Sequence, residues 1–281
     1  MKIINDIAAM KAYVRAIKEK DETICLVPTM GYLHEGHLDL MRMGKPLADH
    51  LVISIFVNPT QFGVNEDLDK YPRDLPRDSQ MAESVGVECI FHPDAKGMYP
   101  QGYAAYINVE GITEGLCGAA RPTHFRGVTT VVAKLFNIIE PDVSVFGEKD
   151  YQQLAVIRRM VIDLNMNVQV LSHPTVREED GLAMSSRNKY LSADERKHAL
   201  VLSRSLIQAQ ALLSGGTKSV EAILAEVKKM ISATPGCVID YVEIVDPDSL
   251  KPLMEIKDTA VMAMAVKVGK TRLIDNVTLK A

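Results

Sequence analysis

The chain has 281 residues, of which 47% are hydrophobic and 24% are charged. This composition is typical of a globular protein with one large domain or about two average ones, and it excludes disordered and collagen-like chains. The 32 basic and 36 acidic residues leave a net charge of −4. The sequence therefore lacks the positive charge with which proteins bind nucleic-acid phosphates.

No segment of the sequence has the composition of a membrane span. Apolar stretches such as residues 51–57 are far shorter than the roughly 20 residues that a spanning helix needs. Charged residues such as Asp6 and Lys11 interrupt the N-terminal apolar residues, unlike the core of a signal peptide. The four cysteines form no CxxC pair, which favours reduced thiols. We therefore expect a cytoplasmic protein.

Helical patterns and apolar runs alternate along the first part of the chain. Residues 7–17 have apolar side chains at helical spacing, and the apolar run 24–27 before Pro28 predicts a strand. Further strands are predicted at 51–57, 87–91, 143–146 and 168–171, with helices at 128–139 and 154–161. Alternation at this spacing indicates parallel strands joined by right-handed crossovers. The sequence thus predicts a Rossmann-like, doubly wound α/β sheet.

The pattern changes after about residue 177. Ser192 and Glu195 form a capping-box signature, which predicts a long helix that ends at Gly215-Gly216. A second helix is predicted at 219–231, followed by strands at 238–245, 260–268 and 272–279. We therefore divide the chain into a Rossmann-like domain at 1–176 and a smaller C-terminal α+β domain at 177–281.

The segment PTMGYLHEGH (residues 28–37) follows the first buried strand of this pattern. In open parallel sheets, ligands bind beyond the carboxyl ends of the strands, and anions favour helix N-termini. If a helix begins near His34, then His34 and His37 lie on one face of its first turn. Each imidazole could donate an N–H to the phosphate oxygens of a triphosphate.

The same two histidines permit two other interpretations. A zinc-protease HExxH motif is excluded, because its histidines are four residues apart whereas His34 and His37 are three apart. The pair could also be surface histidines at the start of a helix. The motif alone does not decide between this interpretation and nucleotide binding.

Two further strand ends carry polar residues. Gln61 follows the strand at 51–57, and its amide could both donate to and accept from a hydroxy acid, although a loop glutamine is ordinarily solvated. Lys149 follows the strand at 143–146, where an ammonium could lie beside phosphates. The longer glycine-rich spacing of a P-loop is absent, and Lys149 could instead pair with Asp150 on the surface.

A loop near the predicted domain junction reads Met184-Ser185-Ser186-Arg187-Asn188. Its hydroxyls and the Arg187 guanidinium could close over a leaving pyrophosphate, although serine-rich linkers are common. Together with the candidates at the strand ends, this loop predicts one polyanionic ligand.

Five segments of the sequence, taken together, form a highly specific set of motifs. They are PTMGYLHEGH (28–37), FVNPTQFG (56–63), FRGVTTVVAKLFNI (125–138), FGEKDYQQL (146–154) and GLAMSSRNKYL (181–191). Over essentially the full length, the chain resembles the pantoate–β-alanine ligase family. HEGH is also similar to the HxGH signature of a wider nucleotidyltransferase superfamily, and MSSRN is similar to its mobile second signature.

The resemblance implies an ATP-dependent ligase of pantothenate biosynthesis. The carboxylate of (R)-pantoate would attack the α-phosphorus of ATP to give pantoyl adenylate and pyrophosphate, and β-alanine would then displace AMP. Mg²⁺ would arrive with ATP. The resemblance also implies a homodimer whose other partners are small molecules. From the charge and the apolar pattern we expect neither nucleic acid nor membrane among the partners, and the hinge-like loop at 177–191 leads us to expect that the C-terminal domain moves as a lid.

The resemblance also implies roles for single residues. The catalytic residues would be His34, His37, Lys149 and Arg187, with His37 as proton donor and Lys149 near the α-phosphate. Gln61 and Gln153 would hold pantoate, and Gln61 would also contact β-alanine. The implied ATP-binding residues are Met30, Gly31, Tyr32, Leu33, His34, Glu35, Gly36, His37, Gly147, Glu148, Lys149, Asp150, the backbone at Val176, Met184, Ser185, Ser186 and Arg187.

One position departs from the family pattern, because Thr123 stands where glycine is more usual. Threonine lacks the backbone freedom of glycine, so we expect the mobility of this loop to be affected but not the chemistry. Two alternative functions remain. They are an adenylyltransferase of the same superfamily that acts on a phosphorylated acceptor, and a nucleotide-sensing module without turnover.

Overall fold

The computed structural model describes residues 1–64 and 66–281, which form two compact units. The first unit consists of Met1–Val109, Thr123–Glu148 and Val156–Pro174. The second unit consists of Glu110–Pro122, Lys149–Ala155 and Thr175–Ala281. The chain therefore passes between the units more than once, and the domain boundary between residues 176 and 177 stays a prediction.

A parallel sheet forms the centre of the first unit. Its strands in chain order are β1 (Lys2–Ile4), β2 (Ile24–Thr29), β3 (His50–Ile55), β4 (Cys89–Phe91), β5 (Val143–Gly147) and β6 (Gln169–His173). The spatial order is β1-β4-β3-β2-β5-β6, and all neighbouring pairs are parallel. From β2, the chain adds β3 and β4 on one side and then β5 and β6 on the other, so the strand order reverses between β2 and β5. In doubly wound folds, ligands bind at such a reversal. The predicted α/β class is confirmed.

Helices connect the strands of this sheet. In chain order the helices up to residue 163 are α1 (Ile7–Lys18), α2 (Glu35–Gly44), α3 (Leu75–Ser84), α4 (Ala95–Met98), α5 (Leu116–Ala120), α6 (His124–Ile139) and α7 (Tyr151–Asp163). Of these helices, α5, which lies between β4 and β5 in the chain, belongs to the second unit. The predicted helical patterns lie within α1, α6 and α7. Asp6 begins α1, because its Oδ1 accepts the Ala9 N–H at 2.8 Å.

Apolar residues of β2, β3 and β5 form a buried core together with α2. Leu26 and Ile53 are completely buried, as are most residues of these central strands. Strands that are buried on both faces have continuous apolar sequences, which explains why apolar runs in the sequence predicted these strands. The core cluster also contains Leu33 and Met41, which anchor the turn before α2 and the helix itself.

The second unit has its own antiparallel sheet and helices. The strands are β7 (Cys237–Val245), β8 (Thr259–Val268) and β9 (Thr271–Lys280), in the order β7-β8-β9. The helices are α8 (Ala193–Ala199), α9 (Val201–Ser214) and α10 (Val220–Ser232). Their apolar faces pack on β8, which is buried along most of its length. The predicted α+β character of this region is confirmed.

The helix after Ser192 differs in length from the prediction. The capping box is present, because the Ser192 N–H donates to Glu195 Oε2 at 2.8 Å and the Glu195 N–H donates to Ser192 Oγ at 3.3 Å. Two helices, α8 and α9, occupy the place of one long helix and meet at Leu200. The Leu200 N–H bonds to the Lys197 carbonyl three residues back, which tightens the last turn of α8. No proline or glycine signals this break.

No helix in residues 1–64 and 66–281 is long and apolar enough to cross a membrane. The cysteines carry free thiols, of which Cys25 and Cys89 are buried. Burial raises the pKa of Cys25 to about 12 and that of Cys89 to about 11. Both thiols therefore stay protonated and unreactive at neutral pH.

Candidate active site

The turn between β2 and α2 contains the predicted phosphate-binding segment. Gly31 has a φ of +82° and Tyr32 a φ of +50°, so the backbone turns sharply after β2. A Cβ on Gly31 would lie 2.8 Å from a methyl carbon of β3, which is too close for any side chain. Asp78 accepts the N–H groups of Tyr32 and Leu33, each at 2.7 Å. This carboxylate therefore fixes the backbone that leads into α2.

Asp78 lies in α3, and only 1% of its surface is exposed. Burial raises the pKa of this carboxyl, while the Leu33 and Tyr32 N–H groups and the Arg77 guanidinium oppose the rise. Arg77 Nη1 lies 3.6 Å from Asp78 Oδ1. No sequence pattern indicates this contact with the turn, because the hydrogen-bonded partners are 45 and 46 residues apart in the chain.

His34 and His37 lie together at the N-terminus of α2, as the sequence predicts. His34 is the residue that precedes the helix, with extended backbone, and His37 lies in the first turn. Their ring centroids are 4.0 Å apart. The His34 N–H donates to His37 Nδ1 at 3.3 Å, so the neutral His37 ring carries its proton on Nε2. This arrangement keeps an N–H donor on the far side of the His37 ring.

Gln61 lies in a short 3-10 turn that follows β3, and 9% of its surface is exposed. Asn58 Nδ2 donates to Gln61 Oε1 and to the Gly127 carbonyl, each at 3.1 Å. Gln61 Nε2 lies 3.1 Å from Met30 Sδ. Asn58 therefore sets which end of the Gln61 amide is oxygen and turns the NH₂ group toward the predicted phosphate-binding segment.

Asn58 is itself held from several sides. Its Oδ1 accepts the hydroxyls of Tyr99 at 2.8 Å and Thr60 at 2.9 Å. Burial raises the pKa of Tyr99 to about 12, so this phenol remains a donor at neutral pH. Asn58 is not among the candidate residues predicted from the sequence, although an asparagine followed by Pro59 at a strand end is a recognisable turn signal.

The segment after β5 forms a 3-10 turn, Glu148–Asp150, that leads into α7. Lys149 Nζ donates to the Met184 carbonyl at 2.8 Å. Burial lowers the pKa of Lys149, and the positive charges of Arg187 and Arg177 lower it further, against the acidic neighbours Asp150 and Asp275. Lys149 is half-buried, unlike the exposed lysine of the surface-pair alternative.

The segment that carries the predicted Ser-Ser-Arg loop is a tight hairpin followed by a 3-10 helix. The Met184 N–H donates to the Val176 carbonyl at 3.0 Å, which pairs the two arms of the hairpin. Ser185 Oγ accepts the Arg187 N–H at 3.2 Å and begins the 3-10 helix Ser186–Tyr190. Ser186 is buried. The second unit thus brings Lys149 and Met184 together.

Gln152 and Gln153 are neighbours at the start of α7 with different surroundings. Gln152 accepts the Cys117 N–H and donates to the carbonyls of Ile112 and Gly115, at 2.9 to 3.0 Å. These bonds hold the loop before α5 and use both ends of the Gln152 amide. Gln153 is half-buried, and no side chain or backbone group in residues 1–64 and 66–281 is hydrogen-bonded to its amide. Gln153 is therefore the glutamine that remains available to a ligand.

Thr123, where the resemblance leads us to expect glycine, precedes α6 with a φ of −101° and a ψ of −7°. Any residue adopts this right-handed conformation, so the position does not require glycine. The next residue, His124, has Nδ1 at 2.9 Å from the Gln61 carbonyl oxygen. Threonine is therefore compatible with the backbone that packs against the Gln61 turn.

No group of three or more His, Cys, Asp or Glu in the described chain, which omits only residue 65, could hold a metal ion.

Comparison with known proteins gives consistent matches over the full length. The family model described as pantoate-beta-alanine ligase matches residues 2–278. Pantothenate synthetase from Acetivibrio thermocellus is 56% identical over 280 residues, covering 100% of both chains. The enzyme of the same name from Geobacter sulfurreducens is 54% identical over 279 residues, covering 99% of both.

Solved structures also match over nearly the full length. The crystal structure of pantothenate synthetase from Thermus thermophilus has a TM-score of 0.94 at 45% identity, with 99% of each chain covered. The pantoate-beta-alanine ligase from Francisella tularensis, described as complexed with beta-gamma ATP and beta-alanine, has a TM-score of 0.83 at 33% identity. That match covers 99% of this chain and 97% of the other.

The sheet order defines a doubly wound α/β fold, in which the imidazole pair follows β2. Because the family model and the relatives cover the whole length, the chain belongs to the pantoate–β-alanine ligase family and is a ligase.

Proposed function

We propose that the chain condenses (R)-pantoate with β-alanine through pantoyl adenylate. A carboxylate oxygen of pantoate attacks the α-phosphorus of ATP, and the bond to the β-phosphate oxygen breaks as pyrophosphate leaves. The amine of β-alanine then attacks the carbonyl carbon, and AMP leaves with the former carboxylate oxygen. The observation that supports this most strongly is the His34 and His37 pair, with ring centroids 4.0 Å apart at a helix N-terminus beyond β2.

The two imidazoles would stabilise charge on the ATP phosphates. As the bond to the leaving pyrophosphate breaks, negative charge grows on the phosphate oxygens, and donors already in place lower the barrier. His37 supports this role because its Nδ1 accepts a backbone N–H, which leaves Nε2–H as the donor. No covalent intermediate on the protein is needed, so the residues act by alignment and charge.

We assign the remaining ATP contacts to three segments. They are Met30–His37, Gly147–Asp150 and the hairpin with the Val176 backbone and Met184–Arg187. Lys149 would act near the α-phosphate, where its ammonium would supply a compact positive charge. Arg187 would bind phosphate oxygens through its planar guanidinium.

We assign pantoate to Gln61 and Gln153, and we assign Gln61 a further contact with β-alanine. A glutamine amide can donate to a carboxylate and accept from a hydroxyl, which suits a hydroxy acid. The orientation of Gln61 by Asn58 and the available amide of Gln153 support this assignment.

We propose that Mg²⁺ enters with ATP and that no protein side chain is its main ligand. When bound, the ion neutralises phosphate charge. We further propose a cytoplasmic homodimer, as the family resemblance implies. The molar mass in solution, from light scattering after gel filtration, tests the dimer.

The products formed from ATP test the proposed function. The wild-type enzyme with ATP, pantoate and β-alanine together should release AMP and pyrophosphate, and no AMP should form when either acid is left out. An adenylyltransferase would release pyrophosphate but keep the adenylyl group on its acceptor. A nucleotide sensor would release neither product, and either of these results would contradict the proposal.

A further inference from the structure

Two neighbouring residues of β9 contact the segments to which ATP binding is assigned, although neither residue belongs to those segments. Asp275 and Asn276 are adjacent in the strand, and they are 2% and 9% exposed. A buried carboxylate next to a buried amide is costly unless both are paired. Their partners are therefore informative.

Asp275 is paired with Arg177, which lies at the start of the hairpin that carries Met184. Arg177 Nη1 donates to Asp275 Oδ2 at 2.7 Å, and Nη2 donates to Asp275 Oδ1 at 2.9 Å. Arg177 Nη1 also donates to the Gly181 carbonyl at 3.1 Å, at the tip of the same hairpin. The bidentate pair therefore fixes both the base and the tip of the hairpin to β9.

Asn276 contacts the other segment. Its Nδ2 donates to the Lys149 carbonyl at 2.8 Å, while the Lys149 ammonium donates to the Met184 carbonyl at 2.8 Å. A closed chain of contacts thus runs from β9 through Lys149 to Met184, and from β9 through Arg177 to the same hairpin. All of its members belong to the second unit.

We propose that Asp275 and Asn276 are positioning residues for catalysis, which hold Lys149 and the Met184–Arg187 segment in one fixed arrangement. The inference rests on the proposed function of those segments. A rigid strand carries both contacts, and supporting groups of this kind keep catalytic side chains in productive geometry. Displacement of about 1 Å by a remote substitution can reduce a rate by about 100-fold.

The test uses Asp275→Asn, which keeps the shape of the side chain and removes its charge. Pantoate-dependent exchange of labelled pyrophosphate into ATP should fall by roughly 10- to 100-fold in kcat/KM for ATP. The KM for pantoate should change little, because Gln61 is untouched. Arg177→Lys keeps the positive charge but loses the planar guanidinium that makes two hydrogen bonds, so exchange should fall in the same direction by a smaller factor. This variant replaces Asp275→Asn in the test if Asp275→Asn does not fold.

Asp240→Asn is the matched control. Asp240 Oδ2 accepts from Arg272 Nε at 2.9 Å, so this substitution removes an aspartate–arginine pair that joins β7 and β9 of the same sheet without touching either ATP segment. The exchange rate of this variant should equal that of the wild type. A loss as large as that of Asp275→Asn would overturn the positioning role, because it would show a general effect of the sheet.

A double-mutant cycle separates positioning from stability. Asn276→Leu should reduce exchange in the wild-type background. It should add little to the loss in Lys149→Ala, because the ammonium whose position depends on the contact between Asn276 and the Lys149 carbonyl is then gone. Equal losses in both backgrounds would contradict the proposal. Circular dichroism at the assay temperature checks that each variant is folded.

The affinity for ATP tests the positioning role even if the reaction does not proceed through an adenylate. If the wild type shows no pantoate-dependent exchange, the proposed function fails, and calorimetric titration with ATP then decides the positioning role. Asp275→Asn should bind ATP at least several-fold more weakly than the wild type and Asp240→Asn. Equal ATP affinity of all three proteins would overturn the inference.

Discussion

His37 illustrates how one backbone contact prepares a side chain for chemistry. Its Nδ1 accepts the His34 N–H, so the orientation of the ring and the position of its proton are both determined before substrate binds. Both histidines are only half-buried. The structural cost of removing either ring should therefore be small.

We expect His34→Ala and His37→Ala each to slow adenylate formation by about 100-fold or more, the usual cost of removing one transition-state donor. The melting temperature should barely change. His198→Ala, which removes a half-buried histidine from α8, is the control and should leave the rate unchanged. A fall of several degrees in melting temperature with the rate retained would favour the alternative of structural histidines.

Gly127 determines how closely α6 approaches the Gln61 turn. A Cβ at this position would lie 2.4 Å from the Thr60 carbonyl oxygen and 2.6 Å from the Gln61 N. The Gly127→Ala variant should therefore displace Gln61 and raise the KM for pantoate by about 10-fold or more, with a smaller effect on ATP. Steady-state kinetics with each substrate varied in turn measures this difference.

Gly115→Ala is the control for Gly127→Ala, because a Cβ there meets no atom within 4 Å and the φ of Gly115 is −99°. Its KM for pantoate should equal that of the wild type. If Gly127→Ala also leaves this KM unchanged, Gln61 does not hold pantoate in the proposed way.

A charged cluster joins the amino ends of the central strands. His50, the first residue of β3, contacts Glu22 through Nε2 at 2.8 Å and Glu88 through Nδ1 at 2.5 Å. Burial disfavours the charged imidazole, but the hydrogen bonds to both glutamates outweigh it and raise the pKa of His50 above 6.5. Burial likewise opposes ionisation of Glu88, but Lys45 and His50 lower its pKa below 4.5.

These directions determine how the cluster responds to pH. The raised pKa of His50 stabilises the fold at pH values below about 6.5, and this contribution is lost as pH rises through the folded-state pKa. The lowered pKa of Glu88 stabilises the fold above about pH 4.5 and is lost on acidification. The cluster should therefore contribute most between these two values.

His50→Gln tests this pH dependence. The free energy of unfolding should differ between wild type and variant by about 1 kcal/mol near pH 5.5, a small value because the glutamates are partly exposed and solvent screens the pair. Near pH 8.5 the difference should be clearly smaller, because the contribution of the charged imidazole is lost as pH rises through the folded-state pKa. Urea denaturation at both pH values gives the two differences. Equal differences would show that the charge on His50 does not stabilise the fold.

The buried strands were predictable because both of their faces are covered, which makes each strand a continuous apolar run. β1 was missed because it has three residues at the edge of the sheet, too few to show a period. The break between α8 and α9 was missed because Leu200 continues the apolar pattern. The helix divides there through a local hydrogen bond that no residue type signals.

The site was predictable to the extent that its chemistry is local. His34 and His37 are three residues apart, so helical spacing alone places them together. Asp78 and Asn276 act on residues 45 or more positions away in the chain, and such contacts exist only after the units have formed. Their roles could therefore be recognised only in the folded protein.

The two compact units are not consecutive along the chain. Lys149–Ala155 belongs to the second unit, where the Tyr151 hydroxyl donates to the Pro247 carbonyl at 3.2 Å and Asn276 donates to Lys149. A cut between residues 176 and 177 would separate these partners.

The central claim is that the pantoate carboxylate attacks the α-phosphorus of ATP. Pantoate labelled with ¹⁸O in its carboxylate tests this directly, because the adenylate keeps one labelled oxygen between carbon and phosphorus. Mass spectrometry of the products formed with β-alanine should find that oxygen in AMP. Label in inorganic phosphate, with ADP as the nucleotide product, would show an acyl-phosphate route and contradict the account.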